Sequence, residues 1–436
     1  MSVAAAPPLN LSKSPPLDLP LRHFGAAAAA FWIFAAAFAL GTDRFLGFDF
    51  SAKWVLGLVH VLTLGWITMT ICGAICQLSA VLWETPLAWP DAARGAWWAL
   101  LLGLIGFVGE LWSGASRYWI PAVLLVGSIS VYLACFARTM FLAPRLDWTG
   151  RHLAVSISAL AAVVTLGLML AWDRQRGLLF HDPRGALIAH VHLALIGWVS
   201  LTIVGVSYRL VAMFALAHVD SKTPGRLALA LTLTGLGGLA LDGLFFGRRL
   251  LPLWACLLAA AYASYAWQMR RIFSARSRRI DPALAYTLLA LAGGAVWAGL
   301  GVALAFGILP DDTYVLAAYV YAALIGWATP FILGQVRKIV PFLVWLHLFG
   351  SRPWTAQNPP PKMTALSSER LAWAEFASMV PAVALGLAGF LRESQPLLRA
   401  GALCLLAAAT LYAANVGLSL SYLVRRGAWT EPNAPR

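Results

Sequence analysis

The sequence predicts an all-α integral membrane protein of about twelve transmembrane helices, arranged as three pseudo-symmetric four-helix arcs. Three observations predict it. Of 436 residues, 61% are hydrophobic and 11% charged, at a mean hydropathy of +0.76, values outside the range of soluble globular chains. Cutting the apolar runs at charges, prolines and glycine-rich joints leaves stretches of roughly 20 residues or more, each long enough to cross the hydrocarbon layer. A motif in the second of these stretches recurs in the sixth and the tenth.

The spans are expected to begin near residues 23, 53, 96, 119, 152, 186, 226, 250, 284, 313, 370 and 397. Residues 1–22 and 427–436 then become tails, and 23–426 one transmembrane domain of three repeats, about 23–142, 150–273 and 284–426. The first 20 residues form a proline-containing polar tail without an apolar run, so no cleavable signal peptide is expected and the first span should stay in the mature protein. Net charge is +14. Most of the basic residues fall in the tails and in loops after even-numbered spans, "RRIFSARSRR" at 270–279 among them. That asymmetry predicts two cytoplasmic termini and removes the need for a nucleic-acid partner. The five cysteines, Cys72, Cys76, Cys135, Cys256 and Cys404, all lie inside expected spans. No disulfide follows from them. Cys72 and Cys76, one helical turn apart, read as small apolar packing or as a soft-metal pair.

The repeat is explicit in the residues. The second span carries HVLTLGWITMTICGAICQL from His60, the sixth HLALIGWVSLTIVGVSYRL from His192, and the tenth YAALIGWATPFILGQVRKI from Tyr321. Each holds Gly-Trp and a later glycine: Gly65, Trp66 and Gly73; Gly197, Trp198 and Gly205; Gly326, Trp327 and Gly334. The copies lie about 130 residues apart, one four-helix unit. An even number of spans between copies makes these three helices parallel and puts equivalent residues at one depth. Such glycines allow close approach of a neighbouring helix or of a flat ligand, so Gly65 and Gly197 count as candidate cofactor-lining positions. Glu110 follows Gly73 by the same separation at which Asp242 follows Gly205. These two acids are candidate proton or ion sites, or acceptors of hydrogen bonds from histidine, or interfacial solvation.

His190 and His192 sit within the sixth span, where an imidazole needs a partner. Two residues on a helix are separated by roughly 200° of rotation, so these rings face opposite sides. His60 is the repeat equivalent of His192, and Tyr319 of His190. If His60 points toward the sixth helix, His190 points back to it across one pocket, while His192 faces a second pocket into which Tyr319 looks. Two imidazoles level with each other across an apolar pocket are what a six-coordinate haem requires. A single histidine opposite a tyrosine would suit a five-coordinate haem with a place for a gas, a metal ion, or nothing. His60, His190 and His192 are thus the candidate metal ligands, with Tyr319 and Tyr321 as further candidates around the cofactor. His23, His152, His181, His218 and His347 fall at span ends or in loops and are expected to be interfacial or solvated. Gln77, Arg209 and Lys338, four residues past the second glycine, read as snorkelling or interhelical contacts. Arg117, Arg174, Arg176, Arg184, Arg248 and Arg249, on the outer side, are candidates to pair with haem propionates.

Three four-helix arcs, His60, the His190-x-His192 pair and the three Gly-Trp segments together resemble the catalytic subunit of the haem-copper oxidase and nitric oxide reductase superfamily, over essentially the whole chain. In that superfamily the second and tenth helices hold a low-spin haem, the tenth supplies the His-x-His pair, and the sixth and seventh supply copper or iron ligands. Here the pair is on the sixth helix, the tenth offers Tyr319 and Tyr321, and the seventh has no histidine, so the three-histidine metal site cannot be assembled and copper is not supported. The chain is also similar to NnrS-type membrane haem proteins, associated with resistance to nitric oxide. The resemblance implies one or two b-type haems, respiratory or nitric-oxide-related redox chemistry with or without catalysis by the chain itself, and a cytochrome or quinol as redox partner. A transporter working at the repeat interface, or a cofactor-free structural subunit of a respiratory complex, is the alternative the residues also allow.

Overall fold

The computed structural model describes residues 15–46, 52–114, 119–219, 223–350 and 360–424, and all statements below concern these. Twelve long helices follow one another: α1 (Asp18–Leu40), α2 (Lys53–Ala80), α3 (Pro90–Ser113), α4 (Trp119–Phe141), α5 (Trp148–Arg176), α6 (Pro183–Ala215), α7 (Thr223–Phe246), α8 (Leu251–Ser274), α9 (Pro282–Ala305), α10 (Thr313–Phe349), α11 (Glu369–Leu391) and α12 (Gln395–Val424). All but α8 are long and apolar enough to cross a membrane. The α8 helix matches them in length, and its lower hydropathy reflects a polar last third containing Gln268, Arg270 and Arg271. The chain is a multi-pass membrane protein. We call the face where α1 begins proximal and the other distal.

Caps explain why several helices start ahead of their apolar pattern. Side-chain oxygens of Asp147, Asp182, Asp281 and Asp312 accept hydrogen bonds from the first free amides of α5, α6, α9 and α10 at 2.8–3.1 Å, satisfying donors that have no intrahelical partner. Proline occupies the first turn of α3, α6, α8 and α9, where its missing N–H costs nothing. The α1 helix begins at Asp18 rather than near 23 because its first turn is polar and ion-paired, Arg22 to Asp18 at 2.7 Å.

The parallel helices α2, α6 and α10 form the centre. The α1, α5 and α9 helices pack on them, the hairpins α3–α4, α7–α8 and α11–α12 lie outside, and α12 returns against α1 to close the ring. Each central helix widens into a π-helical segment over the repeated motif: Val61–Thr68, Leu193–Ser200 and Ala322–Ala328. Such widenings concentrate at functional sites. At this level the three indoles form a closed cycle. Trp66 Nε1 donates to Thr329 Oγ1 at 3.2 Å, Trp327 Nε1 to Ser200 Oγ at 2.9 Å, and Trp198 Nε1 to Thr68 Oγ1 at 3.1 Å. Every acceptor is the hydroxyl two residues after a motif tryptophan. The motif is therefore Gly-Trp-x-Ser/Thr, and each helix both gives and receives one bond. Hydrogen bonds between membrane helices contribute about 0.6 kcal/mol on average and up to about 1.7. A Trp198→Phe/Thr68→Val double-mutant cycle, followed by unfolding in detergent, should therefore give a coupling of about 0.5–1.7 kcal/mol, with each single variant less stable than the wild type.

Candidate functional site

The sectors between the central helices differ in what fills them. In the α2–α6 sector His60 is fixed by its Nδ1, 2.7 Å from the carbonyl of Leu56 one turn back, and its edge meets Phe107 of α3 with ring centroids 5.1 Å apart. No hydrogen bond to its Nε2 is made among the described residues. The His190 ring lies against Val163 and Gly167 of α5, and its buried Nδ1 has no partner. Gly167 is a seat for the imidazole, since a Cβ there would stand 3.0 Å from His190 Cε1.

In the α6–α10 sector His192 repeats the pattern: Nδ1 is 2.8 Å from the carbonyl of Ile188, and Nε2 is 2.9 Å from Tyr319 Oη. The Tyr319 ring is seated on Gly301 of α9, where a Cβ would meet Cε2 at 3.2 Å. These side chains face a cavity of about 720 Å³ lined by α6–α10. Trp297 also lines it, with its buried Nε1 unpartnered. Of the six arginines, Arg184 and Arg248 line the distal mouth, paired with Asp311 at 2.5 Å and Asp182 at 3.0 Å. Arg117 lies outside the described residues, and Arg174, Arg176 and Arg249 are exposed away from the lining.

In the third sector, between α10 and α2, Tyr321 donates to the carbonyl of Ala382 at 2.8 Å and packs between Phe38 and Phe390. The position that is Gly167 and Gly301 in the other repeats is Phe38 here. Its ring occupies the space a ligand would need, so Tyr321 belongs to packing rather than to a cofactor pocket.

Three further expectations change. Gly65 and Gly197 do not line a pocket: they receive Ala30 and Leu104, and Ala159 and Leu236, where an added Cβ would find atoms at 2.7–3.1 Å. Asp242 is buried and turned away from histidine. Its two oxygens accept from the amides of Arg249 and Leu250 and from Trp254 Nε1 at 2.8–3.1 Å, clasping the α7–α8 turn, while its counterpart Glu110 is half-buried on α3. His23 and His152 are fully buried, not solvated. His181, His218 and His347 are exposed as expected. Cys72, Cys76 and Cys135 are buried and unpaired, and no disulfide forms among the described cysteines.

A second repeated layer lies toward the proximal face. Asp18, Asp147 and Asp281 each stand five residues before His23, His152 and Tyr286. His23 Nε2 is 2.6 Å from Tyr132 Oη. His152 meets Tyr208 edge-on at 5.5 Å, and its Nε2 is buried without a partner, as are the hydroxyls of Tyr208 and Tyr265. Tyr286 donates to Glu375 at 2.9 Å, and Glu375 pairs with Arg337, both deep in the bundle. Lys338 pairs with Asp281 at 2.5 Å, and Arg209 lies 3.9 Å from Asp147. The Asp-x4-His/His/Tyr spacing is the sequence signal that finds this layer.

No protein-family model matches the chain, and no curated protein sequence matches it. Among solved structures, 42 chains match. One, from a cryo-EM structure of a haem-copper terminal oxidase dimer, aligns with a TM-score of 0.69 at 13% identity, covering 93% of this chain and 84% of that one. The protein therefore shares its fold with a chain of a haem-copper terminal oxidase.

Two outcomes test the geometry. Gly167→Val should force the His190 ring from its seat and cost about 1–3 kcal/mol, the usual penalty of overpacking, measured by unfolding in detergent. Asp182, ahead of the α6 span, has its carboxyl held below the usual range by the Gly185 amide, with the Arg248 guanidinium adding to the effect against partial desolvation. A depressed folded value means stability that is full above about pH 4 and is lost as pH falls through it. An acid titration of stability should show this loss, and Asp182→Asn should lack that component.

Proposed function

We propose that this protein binds haem b within the membrane for respiratory or nitric-oxide-related electron transfer, with His60 and His190 as the residues that would hold its iron. What supports the proposal is a pair of imidazoles on adjoining central helices, His60 with Nδ1 held by a carbonyl and no bond to its Nε2 among the described residues, and His190 with a buried ring nitrogen that has no partner. A carbonyl holding Nδ1 fixes the tautomer and leaves Nε2 as the lone-pair donor, the usual arrangement of a metal-binding histidine. Leu56 supplies that carbonyl for His60. Gly167 leaves room behind His190, and Phe107 packs edge-on against His60. The haem would supply reversible one-electron chemistry, tuned by its bis-histidine ligation and apolar surroundings.

The His192 cavity is the second site of the proposal. One imidazole, a tyrosine hydroxyl and an unpartnered indole N–H converge there on an apolar space, which accommodates a diatomic gas, a metal ion or a second haem with an open position. Arg184 and Arg248 at its mouth are the arginines placed to meet propionates. With a single histidine present, copper is not part of the proposal. Basic loops on the proximal face support a cytoplasmic side there, in a bacterial inner membrane, and a cytochrome or quinol would exchange electrons with the haem.

A reduced-minus-oxidised spectrum of protein expressed with ample haem tests this. A low-spin haem signal is expected, abolished by His60→Ala and by His190→Ala and spared by His192→Ala. Absence of a Soret band overturns the proposal, and a signal lost only with His192→Ala moves the haem to the other sector. Carbon monoxide should perturb the spectrum only through a site that depends on His192.

A further inference from the structure

The three repeats bring the same corner to the proximal face, and their charges are settled differently. In the first, Asp18 takes both Arg22 and Arg94, at 2.7 and 2.9 Å, and Asp91 adds to Arg94. In the third, the position equivalent to Arg22 is Ala285, and Asp281 is taken by Lys338. The second corner keeps its cations without the acids. Asp147 caps α5 and lies 3.9 Å from Arg209. Among the described residues Arg151 and Arg226 form no carboxylate pair and instead lie against one indole, their guanidinium carbons 4.5 and 4.8 Å from the centre of the Trp148 ring.

More positive charge surrounds this pair. The segment after α8 folds back so that the amides of Ser277 and Arg278 bond the carbonyl of Ala215 at the end of α6, bringing the 276–279 arginines to the same face. Arg270 lies over Trp267, which is itself 54% exposed, and Ser264 ties α8 to the start of α7. Immediately into the membrane from Arg226, the outer side of α7 exposes Leu227 and Leu233, by 50% and 47%. Two guanidinium groups above exposed leucines match an anion joined to an apolar tail. Neither a free phosphate nor a soluble acidic chain covers both.

We propose that the Arg151–Trp148–Arg226 corner is a binding site for the phosphodiester headgroup of an anionic phospholipid, whose acyl chains lie along the exposed leucines of α7. Guanidinium forks match phosphate oxygens in pairs, and both forks here lie against an indole, a side chain suited to the headgroup level. The site requires no cofactor and stands or falls apart from the haem assignment.

The full-length protein in neutral-detergent micelles, titrated with dioleoylphosphatidylglycerol or dioleoylphosphatidylcholine and read by native mass spectrometry, tests the proposal. Phosphatidylglycerol should be retained in preference. At about 1 kcal/mol for each arginine near a lipid headgroup, Arg151→Gln/Arg226→Gln should weaken its retention about thirtyfold, whereas Arg392→Gln, at the distal end of α11, should not. Equal retention of both lipids by the wild type overturns the proposal without recourse to any variant, as does a double variant that is folded and binds like the wild type. Displacement of the lipid by millimolar inorganic phosphate would reduce the site to a phosphate site, and displacement by polyglutamate would assign it to an acidic protein partner. Either result refutes the lipid assignment.

Discussion

The cycle of Trp66, Trp198 and Trp327 with Thr329, Thr68 and Ser200 is the constraint on which the rest of the bundle depends. In hydrocarbon an indole N–H has no water to fall back on, so leaving it unpaired costs more than the modest net gain of the bond itself. Each bond joins equivalent positions on two different central helices, and the cycle closes. Sliding any one helix along its axis breaks two bonds at once. That fixes the depths of α2, α6 and α10 relative to one another, and so brings His60, His192 and Tyr321, each a short way above its tryptophan, to one level. The π-helical widening at the motif lets the large indoles turn inward while the adjoining glycines turn outward to receive α1, α5 and α9.

On this symmetric frame, chemistry arises from single-residue departures. The ring at the second repeated position is His190 in one sector and Tyr319 in the next, and each rests on a glycine, Gly167 or Gly301. The third sector has Leu58 at the position of His190 and Phe38 at that of the glycine, and it is packed solid around Tyr321. A seat glycine on the outer helix and a polar ring on the central one therefore occur together, and both are missing together. This pairing is better evidence of selection for a pocket than any one histidine would be. A buried histidine alone can be satisfied by a carbonyl, and four of these histidines do bond the carbonyl one turn back.

Much of this was legible in the sequence because the hydrophobic runs, the Gly-Trp repeats and the spacing of His190 and His192 are periodic signals. The rotation between His190 and His192 was readable because both lie in the regular part of α6, before the π-helical segment begins. The glycines misled. A glycine permits close approach by a ligand or by a helix, and only the packing partners Ala30 and Ala159 decide between them. The hydroxyl acceptors escaped notice because one serine or threonine among many carries no periodicity until its donor is known. Phe38 and the buried layer of His23, His152 and Tyr286 escaped for a related reason: burial at a span end depends on neighbouring helices, which an apolar-run reading does not contain.

That buried layer also shows how a repeat can keep its geometry while changing its chemistry. The same position of the central helix is Cys76, Tyr208 and Arg337 in turn, and Tyr208 meets His152 edge-on while Arg337 lies over Tyr286. In the first repeat the histidine reaches Tyr132 directly, and Cys76 is a buried thiol. In the third, a guanidinium at the same place requires a counter-charge, and α11 supplies Glu375. Removing either partner of such a buried pair leaves a charge unpaired, at a cost of about 3–5 kcal/mol, so the two substitutions are viable only together. The second repeat has neither solution. Its imidazole and two phenols are left without mutual hydrogen bonds, directly beneath the cavity that His192 faces, and Tyr265 is shared by both. The cavity is bounded by helices of both the second and the third repeat, so the unsatisfied groups of the second repeat lie beneath a space that both repeats build.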